Sequence, residues 1–225
     1  VLFTGLLAAV VTGQTTQPSE NPDGDVRRHA FALAPAPLEE PIVTDRPDFT
    51  ESSTAVPYGH LQLESGYTFT YDREHTQRTR AHTAPEFLCR AGIWPDFELR
   101  IGWAGYTWAE ELDETTTRRG RRISEEKWAQ GAEDMVLGVK QRFCEQKAWR
   151  PELGIIIETS VPSGSSLISS GDVDPGLKLL WSYDLTETWS LAGNLNFAVP
   201  TEDAHRFFQS AASISLGKSW TEQVG

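Results

Sequence analysis

Charged residues that recur within alternating polar and apolar stretches are the side chains in this sequence best placed to do chemistry. Both signs are present among six of them: Glu64, Arg90, Glu98, Arg100, Lys140 and Glu158. Charges persist inside a protein only when they are paired or hydrated. If the six share one enclosed face, they form either a salt-bridged plug or a narrow hydrated path. We therefore predict that these six side chains line a lumen.

Other site chemistries are less well supported. Nucleophilic hydrolysis needs a serine held beside a histidine and a carboxylate or amide, and the sequence contains no Gly-x-Ser-x-Gly elbow. His60 and His82 are expected at opposite rims of the predicted fold, and the histidines lack metal-ligand spacing. The sequence therefore predicts no enzyme, no catalytic residue, no metal site and no cofactor. An outer-membrane hydrolase remains the least favoured alternative.

The net charge limits the class of partner. The chain has a formal net charge of −12, and its one basic run, Arg118 to Arg122, adjoins Glu125 and Glu126. Phosphate contacts require clustered lysine and arginine side chains. We therefore expect no nucleic-acid partner.

Alternation with a period of two identifies the elements that would carry the charges. In residues 60–71 the apolar and aromatic side chains fall on odd positions and the polar side chains on even ones. The same pattern recurs in 97–105, 133–143, 176–185 and 189–199, and more weakly in 83–93, 152–161 and 208–220. Such alternation indicates half-buried strands. About eight strands follow, each close to the length that crosses a bilayer when tilted.

The connections favour a membrane barrel over a soluble one. Those around 94–96, 146–150 and 186–188 are short, whereas the stretches 72–81, 108–132, 162–175 and 200–207 are predicted to be long polar loops. Short turns at one rim and long loops at the other are typical of outer-membrane barrels. The prediction is an all-β, antiparallel up-and-down transmembrane β-barrel, incomplete at its C-terminus because 221–225 resemble a turn into another strand. A soluble sandwich or lipocalin-like barrel is the alternative.

The N-terminal region predicts export. Residues 1–13 have the apolar core and small residues of a signal peptide, truncated at its start. Residues 14–57 form a predicted periplasmic linker and N-terminal segment, whose part 41–57 should lie at the periplasmic end or in the barrel mouth. Residues 58–225 form the predicted barrel. This organisation places the chain in the bacterial outer membrane, with outer-membrane lipid and the barrel-assembly machinery as expected partners and the oligomeric state open.

Several stretches resemble a known family. Thr44 to Ser52 reads Thr-Asp-Arg-Pro-Asp-Phe-Thr-Glu-Ser, and Gly59 to Phe69 follows it. Together with 133–143 and 175–190, they resemble the outer-membrane family named for the MetA pathway of phenol degradation. The resemblance implies a porin-like transporter for passive passage of small-molecule solutes, with hydrophobic or aromatic compounds among the candidates. It implies no catalytic residues. A structural or adhesive barrel with a plugged lumen, binding through the loop 108–132, is the alternative.

Overall fold

A computed structural model describes residues 42–45, 50–74, 77–116, 122–202 and 205–218 of the chain. The regular structure within these ranges is entirely β, and it includes no helix long and apolar enough to cross a membrane. The predicted signal peptide, the linker as far as residue 41 and the last residues, 219–225, lie outside the described residues.

Twelve strands account for the described regular structure. They are β1 (Leu61–Glu74), β2 (Gln77–Trp94), β3 (Phe97–Trp103), β4 (Tyr106–Thr116), β5 (Arg122–Ala132), β6 (Met135–Cys144), β7 (Glu152–Val161), β8 (Pro175–Asp184), β9 (Trp189–Ala198), β10 (Thr201–Glu202), β11 (His205–Arg206) and β12 (Gln209–Lys218). Strands β10 and β11 form a small separate hairpin, and the other ten form one antiparallel sheet.

The ten strands of the sheet follow eight lines. The lower half of β2 pairs with β3 and its upper half with β4, so that β3 and β4 are successive parts of one line. The next line is also made of two strands, with β6 paired to β3 and β5 paired to β4. β7, β8, β9 and β12 then follow in order, and β1 covers the other edge of β2. The sheet is a strongly curled half-barrel, which confirms the predicted all-β up-and-down architecture.

The break between β3 and β4 has a local cause. Pro85 of β2 has no N–H group and cannot donate to a neighbouring strand. Gly105 lies opposite this position with a φ of 104°, a left-handed conformation that glycine adopts without steric cost. A Cβ atom at Gly105 would lie 2.7 Å from the Pro85 carbonyl oxygen. The sequence therefore interrupts the pairing here without ending the sheet.

Two predicted loops are wrong. Residues 108–132 contain most of the β4–β5 hairpin, and residues 72–81 belong largely to β1 and β2. Both stretches are polar on their two faces, so they lack the alternation that identified the other strands. β4 adds 11 residues to its line, a rise of roughly 36 Å at ~3.3 Å per residue. The sheet is therefore much taller on the side of β1, β2, β4 and β5.

The two faces of the sheet differ sharply in polarity. Aliphatic side chains on the outer, convex face are exposed: Leu99, Ile101, Leu137, Ile157, Leu179 and Leu195 have relative accessibilities between 39% and 52%. The inner, concave face instead holds most of the buried polar and charged groups, with only a few buried aliphatic side chains. The polarity of the sheet is therefore the reverse of that in a soluble sandwich, because its apolar face is outside and its charged face is inside.

The stretch 42–57 is called the inner segment below, and its described residues cover the lower part of the concave face. Only 42–45 and 50–57 of this segment are described. Its side chains reach far across the sheet: Ser53 Oγ bonds Ser182 Oγ of β8 at 2.7 Å, and Thr50 Oγ1 donates to Ser213 Oγ of β12 at 2.9 Å. The inner segment thus occupies the space that a lumen would take at this level.

Candidate functional site: a charged cluster on the concave face

Hairpin register brings the strand-borne charges together. The β2–β3 turn places Arg90 directly opposite Arg100, and the β3–β6 pairing places Glu98 opposite Lys140. All four side chains point inward and are buried. Like charges directly opposite one another on one sheet face are destabilising. The two arginines therefore require carboxylates between them.

Glu98 is the strand residue that holds the two arginines. Its Oε1 accepts from Arg90 Nε at 2.8 Å and from Arg100 Nη1 at 2.9 Å, and its Oε2 accepts from Arg90 Nη2 at 2.9 Å. Arg90 also donates to Glu64 Oε1 on β1 at 3.1 Å. Bidentate pairing of a guanidinium with a carboxylate fixes the geometry of both groups. The arginines are therefore positioned by the sheet itself.

Asp45 of the inner segment completes the cluster. Lys140 Nζ lies 2.5 Å from its Oδ2 and Arg90 Nη2 lies 3.4 Å from the same oxygen, which Arg100 Nη1 also contacts. The backbone N–H of Asp45 donates to Glu64 Oε2 at 3.0 Å. Asp45, Glu64, Arg90, Glu98, Arg100 and Lys140 are called the charged cluster below.

The charged cluster changes the acidity of Asp45. Burial by itself would raise the pKa of this carboxyl, but the charges of Lys140, Arg90 and Arg100 outweigh that effect and hold the pKa well below its usual range. Asp45 is therefore an anion at any physiological pH. Its charge is a fixed part of the site.

A second ion pair lies beside the charged cluster. Lys178 Nζ of β8 contacts Glu158 Oε1 at 2.8 Å and Glu51 Oε2 of the inner segment at 3.1 Å. Glu51 also accepts from Arg100 Nη2 at 3.0 Å. Glu158 is only partly buried and contacts no member of the charged cluster among its described ion pairs. The structure thus brings together five of the six residues predicted to line a lumen and places Glu158 next to them.

Further bonds fasten the inner segment at its lower end. The Val56 N–H donates to Glu98 Oε2 at 2.6 Å, and Ser53 Oγ donates to Glu152 Oε1 at 2.7 Å. Lys140 Nζ also donates to the Ser52 carbonyl at 2.8 Å. Glu98, Glu152 and Lys140 therefore each have one partner on the sheet and another on the inner segment.

Sequence reasoning missed Asp45, Glu51 and Ser53 as site residues. They belong to a stretch without periodicity, and only the folded sheet brings them to the charges. One feature of the sequence could have pointed to them. The short turn at 95–96 sets Arg90 opposite Arg100, and two facing arginines require an anion from another part of the chain. Whether a solute passes the six predicted residues stays a prediction. The described residues hold no group of three or more potential metal ligands.

Comparison with known protein families gives a match over most of the chain. Residues 44–225 match the family described as "Putative MetA-pathway of phenol degradation". The chain belongs to this family. The match to the MetA-pathway family begins within the inner segment, one residue before Asp45, and runs through all the strands, so that segment and sheet belong to one family unit. No curated protein and no solved structure matches the chain.

Proposed function

We propose that this chain is an outer-membrane β-barrel protein that lets small solutes, including hydrophobic or aromatic ones, pass passively along its concave face. The observation that carries the proposal is the opposite polarity of the two faces. Exposed aliphatic side chains suit contact with lipid, and buried inward charges suit a hydrated interior. Membership of the MetA-pathway family is compatible with this role.

Passage requires the inner segment to move. Its ion pairs with Arg100, Lys140 and Lys178 lie across the lower concave face, where a solute would travel. None of these contacts is a backbone hydrogen bond between paired strands. The segment can therefore leave without breaking a strand pairing. The proposed function is therefore that of a gated barrel with its gate inside.

A plugged structural barrel is the second candidate, because the inner segment is fastened by so many charged contacts. In that role the segment never leaves and the β4–β5 hairpin supplies the binding surface. Its exposed Trp128, at 69% relative accessibility, suits such a surface. Channel activity separates the two roles.

We do not propose an enzyme. His82 Nδ1 lies 2.7 Å from the Tyr67 hydroxyl, and His60 Nδ1 lies 3.2 Å from the Tyr58 carbonyl oxygen. Both contacts are exposed, and within the described part of the chain neither ring is bonded to a serine. A nucleophile and its base need such a bond.

Single-channel recording of the full chain in planar bilayers tests the transport proposal, and Arg100→Leu is the informative variant. The change removes contacts to Asp45, Glu51 and Glu98, so the inner segment is held less firmly. Because a charge-assisted hydrogen bond contributes about 1.5–3 kcal/mol, openings should become about 10- to 150-fold more frequent.

Arg150→Leu is the matched control, because it removes the same charge at an exposed turn. It should leave the record unchanged. A protein that folds but stays silent in both forms, or a record that Arg100→Leu does not alter, would contradict the gated barrel and favour the plugged one.

A further inference from the structure

Three cations from three adjacent strands converge on one carboxylate oxygen. Arg90 lies on β2, Arg100 on β3 and Lys140 on β6, and all three contact Asp45 Oδ2. The three side chains are almost completely buried. Buried arginine and lysine groups arranged around one oxygen have the chemistry of a carboxylate-binding site. Asp45 is the carboxylate that fills it in this structure.

Each of the cations also has a partner on the strands, and the two arginines are held closely by it. Glu98 holds both arginines from the strand side, and Lys140 Nζ lies 3.8 Å from Glu98 Oε1. Asp45, in contrast, belongs to the inner segment. The arginines therefore keep their strand partner when the segment leaves, but departure of the carboxylate alone would leave buried cations undercompensated, which is strongly unfavourable. Another anion would remove that penalty.

Apolar side chains flank the cations. Ile156 of β7 lies directly opposite Lys140 on the inner face and is fully buried. Leu88 lies two residues before Arg90 on β2 and is also buried. A ligand that combines a carboxylate with a compact apolar body would contact both surfaces. A neutral molecule of the same shape would satisfy only the apolar one.

We propose that Arg90, Arg100 and Lys140 bind the carboxylate of a small apolar monocarboxylic acid in place of Asp45, and that this exchange releases the inner segment. The inference rests on the proposed transport function and names the class of solute that opens the barrel. Benzoate fits the class, and benzyl alcohol is its neutral counterpart.

Distances measured by pulsed electron paramagnetic resonance report the release directly. Spin labels go on Ile42→Cys and Lys147→Cys of the full chain, with Cys89→Ser and Cys144→Ser removing the native thiols. Ile42 is exposed on the inner segment and Lys147 is exposed on a turn. Benzoate should broaden the distance distribution of the refolded protein in a dose-dependent manner. Benzyl alcohol at the same concentrations should not.

Asp45→Asn tests the exchange itself. The variant keeps the shape of the side chain but removes the charge that competes with benzoate. Half-release should then occur at an about tenfold lower benzoate concentration, which corresponds to roughly 1.4 kcal/mol. An unchanged half-release concentration would overturn the exchange.

Lys140→Gln and Lys178→Gln separate ligand recognition from simple fastening. Both lysines hold the inner segment, but Lys140 contacts Asp45 and Lys178 contacts Glu51. Lys140→Gln should reduce the preference for benzoate over benzyl alcohol about tenfold, because one ligand-binding cation is lost. Lys178→Gln should retain that preference even if release becomes easier. Equal loss of preference in both variants would overturn the assignment.

Solute flux into proteoliposomes distinguishes failure of this inference from failure of the transport function. Benzoate-dependent release without any flux would refute transport and leave the carboxylate site standing. Flux of benzoate and benzyl alcohol at equal rates, with neither broadening the distance distribution, would refute both the carboxylate site and the internal gate and leave only ungated transport standing. Release by both probes equally would likewise refute the carboxylate preference.

Discussion

At the scale of single residues, Asp45 links two parts of the molecule that share no strand pairing. Its side chain joins three strand-borne cations, and its N–H donates to Glu64. Removing one partner from a buried ion cluster costs far more than an exposed ion pair contributes, because the remaining charge stays desolvated. The docking of the inner segment should therefore depend strongly on this one carboxylate.

The pH dependence of docking follows from Asp45. Its pKa is lowered in the folded protein from an ordinary value of 3.8, so its contribution to docking is fully present above that value and declines as the pH falls below it. The distance between the labels at Ile42→Cys and Lys147→Cys should hold from pH 8 to about 5. Below about pH 4 docking should weaken by up to tenfold per pH unit.

Asp45→Asn is the control for this titration. Any acid release that remains in the variant comes from groups other than Asp45. If the variant titrates as the unmodified chain does, Asp45 is not the group responsible.

At the scale of elements, Gly92 of β2 allows the inner segment to approach the sheet. A Cβ atom there would lie 2.2 Å from the Pro57 carbonyl oxygen and 2.4 Å from that of Val56. Both neighbours are backbone atoms, which cannot rotate away. The strand and the segment therefore fit together only because this position has no side chain.

Gly92→Ala should displace the lower end of the inner segment. The strand pairing is retained, so the cost in unfolding free energy should stay within about 1–3 kcal/mol, as for other overpacked sites. Single-channel recordings should show more frequent openings than the unmodified protein. Gly102→Ala is the control, because its Cβ would meet its nearest atom, Val136 Cβ, at an ordinary 3.6 Å. Equal effects from both substitutions would count against a specific contact at Gly92.

The elements also show how far the sequence predicts this fold. Strands with one apolar face, such as β3 and β8, are identified by alternation because their two faces meet different surroundings. The β4–β5 hairpin escapes this test, since neither of its faces is consistently apolar. Arg90 and Lys140 lie on the concave face, but their partner Asp45 comes from a segment whose position depends on tertiary contacts alone.

At the scale of the whole molecule, the exposed aliphatic face defines the solvent for which the fold is suited. A soluble protein rarely leaves so continuous an apolar surface uncovered. The same side chains are in a favourable environment when lipid surrounds the sheet. The environment of the outer face can be tested independently of any channel activity.

Ile157→Arg tests whether the outer face meets lipid. Ile157 is 52% exposed on β7, and an arginine at the bilayer midplane costs about 2–4 kcal/mol. Unfolding of the protein from liposomes should show a loss of this size. Trp128→Arg, on the β4–β5 hairpin, should cost much less, because we expect the hairpin to rise beyond the part of the sheet that lipid surrounds. If Ile157→Arg leaves the unfolding free energy unchanged, the outer face is surrounded by water rather than lipid.

The long-range contacts of the inner segment impose an order on folding. Thr50 bonds Ser213, a partner 163 positions further along the chain, and Asp45 bonds Lys140, 95 positions away. Contacts between such distant positions form late, because the entropy of closing the intervening loop must first be offset by other pairings. The inner segment is synthesised before the strands, but we expect it to reach its final position after them. We therefore expect a newly assembled molecule to pass through an interval in which its strands are paired and its interior is still empty.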